Sequence, residues 1–252
     1  MDLLPFLHQK LIFSPTDIVS QVRTLRSATT ILARYQKQGY VSKIRRGLYC
    51  VNNIATKMPE ADKYQIASSI TPSAYVAYHS AMEYHGFAHQ LYYDVVVGTR
   101  QKFNAFNFDG YHYASHLTYI DTGIDISPAN SLVSVTNVER TIVDCIDRID
   151  LCGGLEELKN CLQSIRYLRD EQLLATLHAY GKTALYKKTG FLLQSLQMPV
   201  SIDLLKTCMQ YANKSITYLT SDGDSNQFCQ TWRMYVPSDL LNINNSHSYE
   251  HI

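Results

Sequence analysis

The chain has 252 residues, nearly half of them hydrophobic, with few Gly or Pro and a formal charge of +1. This is the composition of a folded globular protein, long enough for two domains, and no apolar run nears the ~20 residues that a membrane span needs. An acid at position 2 of "MDLLPFLHQK" argues against a secretory leader, and six cysteines without a CxxC pair are expected to be reduced and buried, so the expected setting is cytoplasmic.

Charge is uneven along the chain. Residues 1–57 hold nine Lys or Arg against two acids, or +7, which leaves −6 for the rest. A basic unit ahead of an acidic body points to a nucleic-acid-binding module on a larger domain. Ser14, Pro15 and Asp17 read as a helix start, with Ser14 as cap and Asp17 in the capping-box position. This helix is expected over about 15–22. A second is expected from Ser27, where Ala28, Ile31, Leu32 and Tyr35 recur at i, i+3, i+4 and i+7 as one buried stripe. Gly39 suits the left-handed residue that follows a helix. Two strand-like runs, 40–44 and 48–51, flank Arg45-Arg46-Gly47, a tight turn with a basic tip.

Helix, helix and hairpin is the order of a winged helix-turn-helix. The exposed face of its second helix would enter the major groove, with Thr29, Thr30 and Arg34 at base edges. The hairpin tip would set Arg45 and Arg46 on phosphates or in a narrow minor groove. Arg23, Arg26, Lys37 and Lys43 complete the expected DNA-binding set.

A polar stretch, 52–60, reads as a linker, which gives expected domains of 1–57 and 60–237. The second domain reads as mixed α/β. A helix is expected over 61–70. "AYVAYHSAMEYHGF" reads as a short strand and a helix ending at Gly86, and "LYYDVVVGT" as a strand. "FNAFNFDGYHYASH" carries two strand-like runs about Asp109-Gly110, a hairpin signal. Thr136-Asn137-Val138-Glu139 reads as a capping box, opening a helix with Val138, Ile142, Cys145 and Ile149 on one face. Gly153-Gly154 ends it. Helices follow at about 155–168, 171–178, 183–196 and 202–213. "SITYLTS" and "FCQTWRMYVP" read as terminal strands with Asp222-Gly223 as a turn, and 238–252 as a frayed tail.

Catalytic chemistry finds little support. His79, His85 and His89 lie near Glu83, and on a helix His85 and His89 would share a face. There is no HExxH and no second cluster at zinc spacing, so no metal is expected. Glu139 is explained by the cap, and Arg140 with Asp144 by an i, i+4 ion pair. "GTRQKF" and "YGKTALYKKTG" lack the spacing of a phosphate loop. In the second, Lys182 and Thr183 follow Gly181, yet an ordinary basic helix start explains them. No catalytic residue and no cofactor is expected.

Three motifs in order carry a family resemblance: a winged helix ending in "RRGLY", then "YHSAMEYHGF", then "SVTNVERTIVDCID" followed by "GG" and a helix. Together they resemble the AbiEi family of type IV antitoxins, from abortive-infection toxin–antitoxin systems, over most of the chain to about Pro237. The resemblance implies an α/β (α+β) protein, a winged helix followed by an antitoxin domain. It implies that the first domain represses its own operon by binding inverted repeats in promoter DNA. It implies that the second counteracts a nucleotidyltransferase-like toxin. A winged-helix transcription factor with a small-molecule sensor domain is the alternative on composition.

Overall fold

The computed structural model describes residues 3–212, 215–220 and 226–245, and is a mixed α/β fold with three sheets. The chain divides into two compact units. One is built from Met1–Val76, Tyr92–Thr118 and Ile126–Val135; the other from Ala77–Leu91, Tyr119–Asp125 and Thr136–Ile252.

The first unit opens with α1 (Leu4–Lys10) and β1 (Ile12–Phe13), two short elements that periodicity does not mark. Ser14 then caps a 3-10 turn, Pro15–Ile18, with Asp17 closing the expected capping box. Helix α2 (Val19–Val22) continues it and ends at Arg23, whose φ is +71°. Helix α3 (Leu25–Lys37) starts earlier than the stripe suggests. Its cap is Thr24, whose hydroxyl accepts from the Ser27 N–H at 3.1 Å. Gly39 takes the expected left-handed conformation at φ +72°. Strands β2 (Val41–Arg45) and β3 (Leu48–Val51) form the hairpin, and β1 pairs with β3.

One core closes this module. Leu3, Leu7, Phe13, Ile18, Ala28, Leu32, Tyr35, Val41 and Val51 pack together. Each large aliphatic side chain so buried contributes about 1.5–3 kcal/mol. Ile31 is only half-buried, because it lies at the margin of the α3 stripe.

The expected linker is instead an ordered loop. Asn52 bridges to Pro59, and its side-chain amide donates to the Gly39 carbonyl. Asn53 Oδ1 accepts from the N–H groups of Ala55 and Thr56. Polar composition here serves a hydrogen-bonded turn, in the manner of an Asx-turn. Beyond it, Asp62 caps α4 (Lys63–Ser69) in a capping box with Gln65.

A six-stranded sheet follows, in the order β6-β7-β5-β4-β9-β8. Its strands are β4 (Tyr75–Val76), β5 (Asp94–Thr99), β6 (Phe106–Phe108), β7 (Tyr111–Leu117), β8 (Ile124–Ile126) and β9 (Ser134–Thr136). Asp109 and Gly110, at φ +49° and +80°, turn the expected β6–β7 hairpin. In β5, Gly98 sits opposite Tyr75, and a Cβ there would fall 2.3 Å from the tyrosine ring.

In the second unit α5 (Tyr78–Tyr84) ends before Gly86, as expected. Helix α6 (Val138–Asp147) is buried on every side from Glu139 to Ile146, not along one face. Its cap is Asn137, which accepts from the Arg140 N–H. Glu139 does not close a capping box; its carboxylate goes to Arg169. Gly153 and Gly154 have φ of +82° and +95° and separate α6 from α7 (Leu155–Ser164). Helices α8 (Asp170–Tyr180), α9 (Thr183–Ser195) and α10 (Ile202–Met209) follow close to expectation.

A three-stranded sheet β10-β12-β11 comes last. Its strands are β10 (Thr217–Tyr218), β11 (Asn226–Cys229) and β12 (Met234–Pro237). "FCQTWRMYVP" is therefore two antiparallel strands, broken by a turn in which Arg233 has φ +46°. The Asp222-Gly223 turn lies outside the described residues. Ser238–Asn245 forms α11, where a frayed tail is expected.

Candidate nucleic-acid interface

Helix α3 buries Ala28, Leu32 and Tyr35 and thereby turns its other face outward. Arg26, Thr29, Thr30, Arg34 and Lys37 are all exposed on it, and Arg23 is exposed in the turn before it. The hydroxyls of Thr29 and Thr30 both donate to the Arg26 carbonyl, each at 2.9 Å. Their oxygens are left to accept and their methyl groups to pack, which narrows what they can read to donors and thymine methyls. Arg34 lies over the Tyr35 ring, 5.4 Å from its centroid. Lys43 is exposed on β2.

The wing separates two arginines that the sequence treats alike. The β2–β3 register shifts between Lys43 and Arg45, a bulge that re-aims the strand end. Gly47, at φ +81°, completes the turn. Arg46 is exposed at the tip. Arg45 is half-buried, and its guanidinium lies 5.4 Å from the ring centroids of both Phe103 and Phe106. Its Nη1 is buried without a hydrogen-bond partner, as suits an N–H facing aromatic rings. Arg45 is thus an anchor for the wing, and Arg46 its outward charge. No signal in the sequence links Arg45 to residues some sixty positions away.

Charge follows the units. The first contains twelve Lys or Arg and six acids, or +6, which leaves −5 for the second.

The residues weighed as catalytic fall into structural networks of the second unit. Helix α5 ends at Tyr84, so His85 and His89 do not share a helical face. His85 Nε2 lies 2.6 Å from the Thr136 carbonyl, and His89 Nε2 lies 2.8 Å from Ser164 Oγ. His79 instead joins Glu157 and Cys161, residues that the sequence does not connect to it. Their potential ligand atoms lie within 4.8 Å of one another, and all three are buried. Glu157 Oε1 accepts from the N–H groups of His89 and Gln90 at 2.9 and 3.0 Å. His79 Nε2 lies 3.1 Å from the same oxygen, and the Cys161 thiol 3.4 Å. Four donors converge on one carboxylate oxygen, an arrangement that fixes the loop after α5 onto α7. Burial pushes the Glu157 carboxyl up, but these hydrogen bonds outweigh it and hold it below its ordinary value.

Arg140 and Asp144 form the expected ion pair, with Nε 2.5 Å from Oδ1 and both side chains buried. The Arg140 Nη1 donates to the carbonyls of Ile120 and Thr122, and the Tyr180 hydroxyl donates to Asp144. In "YGKTALYKKTG", Lys182 is held by both oxygens of Asp147, at 2.8 and 2.7 Å. Lys187 is buried and donates to the carbonyls of Ser215 and Arg233 and to Thr217 Oγ1. Both ammonium groups are thus occupied by structural partners.

No family model matches the chain, and no curated protein matches it. Among solved structures the chain is similar to the crystal structure of the RV2827C protein from Mycobacterium tuberculosis, with a TM-score of 0.64 and 14% sequence identity. The likeness covers 96% of this chain and 93% of that one, and at this identity it is a likeness of fold.

Proposed function

We propose that this chain is a cytoplasmic, bifunctional antitoxin of the AbiEi type. Its winged helix represses its own operon by binding promoter inverted repeats. Its acidic second unit counteracts a nucleotidyltransferase-like toxin, and neither unit catalyses a reaction. The observation that carries the DNA half is the set of exposed cations on the winged helix: Arg23, Arg26, Arg34, Lys37, Lys43 and Arg46. Such a set neutralises phosphates, while α3 is the element sized for a major groove. Support for the antitoxin half is the order of motifs that resembles the AbiEi family.

The test uses full-length variants with two readouts. Arg34→Ala combined with Arg46→Ala is expected to abolish operator repression and to leave rescue of toxin-expressing cells intact. Loss of both functions in a folded variant would argue against the division of labour. A second reading, a transcription factor with a sensor domain, draws on a cleft of about 400 Å³ in the second unit, lined in part by Ile146, Asp147, Asp150 and Lys188. That volume lies within the range of small-molecule sites. Co-transcription with a nucleotidyltransferase gene favours the antitoxin; a metabolic operon favours the sensor.

A further inference from the structure

We propose that the DNA-contacting surface continues past the wing onto the loop Arg100-Gln101-Lys102, which takes backbone phosphates beside those met by Arg46. This rests on the DNA-binding reading above. The first unit has three Lys or Arg outside residues 1–57: Lys63, Arg100 and Lys102. Lys63 lies over the rings of Tyr64 and Tyr111, at 5.1 and 4.8 Å. Arg100, Gln101 and Lys102 are exposed in sequence at the end of β5.

The loop is built, not merely exposed. Ser73 Oγ accepts from the Arg100 N–H and Thr99 Oγ1 from the Gln101 N–H, both at 3.1 Å. Thr99 Oγ1 also lies 2.8 Å from Thr71 Oγ1 and 3.1 Å from Ser73 Oγ. On the other side, Ser115 Oγ donates to the Phe103 carbonyl. Phe103 is the ring that receives Arg45, so the next residue along the chain from Lys102 is in contact with the wing. Thr71, which is bonded to Thr99 of this network, shares the lining of a cleft of about 470 Å³ with Arg46, Gly47 and Leu48. The Arg45 contact with Phe103 therefore ties the wing to the loop. Cations on a preorganised backbone lose less freedom on binding than cations on a mobile arm. Backbone phosphate is the partner that their charge and exposure fit, and such contacts position the protein without reading sequence.

The test is a salt titration of operator and scrambled duplexes with the wild-type chain, Arg46→Ala, and the double variant Arg100→Ala, Lys102→Ala, alongside hydroxyl-radical footprints. The double variant is expected to lower the slope of log K against log salt by roughly 1–2, since each phosphate contact contributes about 0.9. It should weaken both duplexes by the same factor. The footprint should lose protection at one edge only, while Arg46→Ala loses a neighbouring patch. Thermal denaturation should match wild type. If the double variant keeps the full slope and footprint while Arg46→Ala loses its share, the inference is overturned and the DNA-binding reading stands. If the wild-type chain binds neither duplex, the DNA-binding reading falls and takes the inference with it.

Discussion

Arg169 makes three hydrogen bonds to Glu139 across thirty residues of sequence: its N–H and Nε reach Oε1 at 2.9 and 3.0 Å, and its Nη2 reaches Oε2 at 2.9 Å. Burial pushes the Glu139 carboxyl up, and the Arg169 side chain and backbone more than offset this, so it sits below its ordinary value. A carboxyl lowered in the folded state binds fewer protons there than in the unfolded chain. Its stabilisation is therefore present above the unfolded value, near 4.5, and is lost as pH falls through the lower folded value. Glu139→Gln should cost about 1–2 kcal/mol at neutral pH, discounted because Arg169 is half-exposed. The variant should also show a flatter fall in stability between pH 5 and 3, measured by urea denaturation. An unchanged acid limb would mean that this pair does not couple to folding.

The packing of α9 offers a sharper test. A Cβ on Gly190 would lie 2.3 Å from Trp232 Cη2 and 2.8 Å from Cys208 Cβ. Trp232 is pinned in turn, since its Nε1 donates to Gln194 Oε1 at 2.7 Å. Overpacking of this kind costs roughly 1–3 kcal/mol. Gly190→Ala should lower the melting temperature although alanine is the better helix former. It should also shift the emission of Trp232, the one tryptophan of the chain.

At the wing the two arginines should part ways. Arg46→Ala is expected to reduce the salt slope of DNA binding by about 0.9, equally on operator and random duplexes. Arg45→Ala removes a contact with Phe103 and Phe106. It should lower thermal stability, by about 0.5–2 kcal/mol for a partly desolvated cation–π pair. Arg34→Ala should instead narrow the gap between operator and scrambled DNA, by roughly 1–3 kcal/mol if it bonds a base bidentately. Equal effects of Arg45→Ala and Arg46→Ala on slope would place both on phosphate.

The Glu157 network makes a prediction about metals. A carboxylate oxygen that already receives four donors is built for hydrogen bonding, so purified protein should contain no stoichiometric zinc, and chelators should leave its melting temperature unchanged. Glu157→Ala strands the His89 and Gln90 N–H groups, and should cost at least about 1–3 kcal/mol. One zinc per chain by elemental analysis would reverse this, and would make the unpartnered Oε2 of Glu157 a ligand.

Local chemistry was legible where residues act on near neighbours. The Ser14–Asp17 box, the turns at Gly39, Gly47 and Asp109-Gly110, and the Arg140–Asp144 pair all span a few positions. What stayed hidden needed distance or irregularity. The bulge in β2 breaks the alternation that marks a strand, and the Arg45 seat depends on rings some sixty residues away, Phe103 and Phe106. Glu139 followed the pattern of a capping box, yet a long-range guanidinium outcompeted the local N–H. Polar composition at 52–60 read as a linker because side chains that bond their own turn look the same as side chains that face water.

The core of the winged helix has a further consequence for the order of events during synthesis. Its nine buried side chains all fall within residues 3–51, whereas the six-stranded sheet needs β9, ending at Thr136. Translation at about 5–20 residues per second separates these two points by roughly 4–17 s. The basic module can therefore close while the sheet that follows is still missing strands. A nascent chain would carry a closed recognition helix on the ribosome while its wing still waits for the Phe103 and Phe106 rings that seat Arg45.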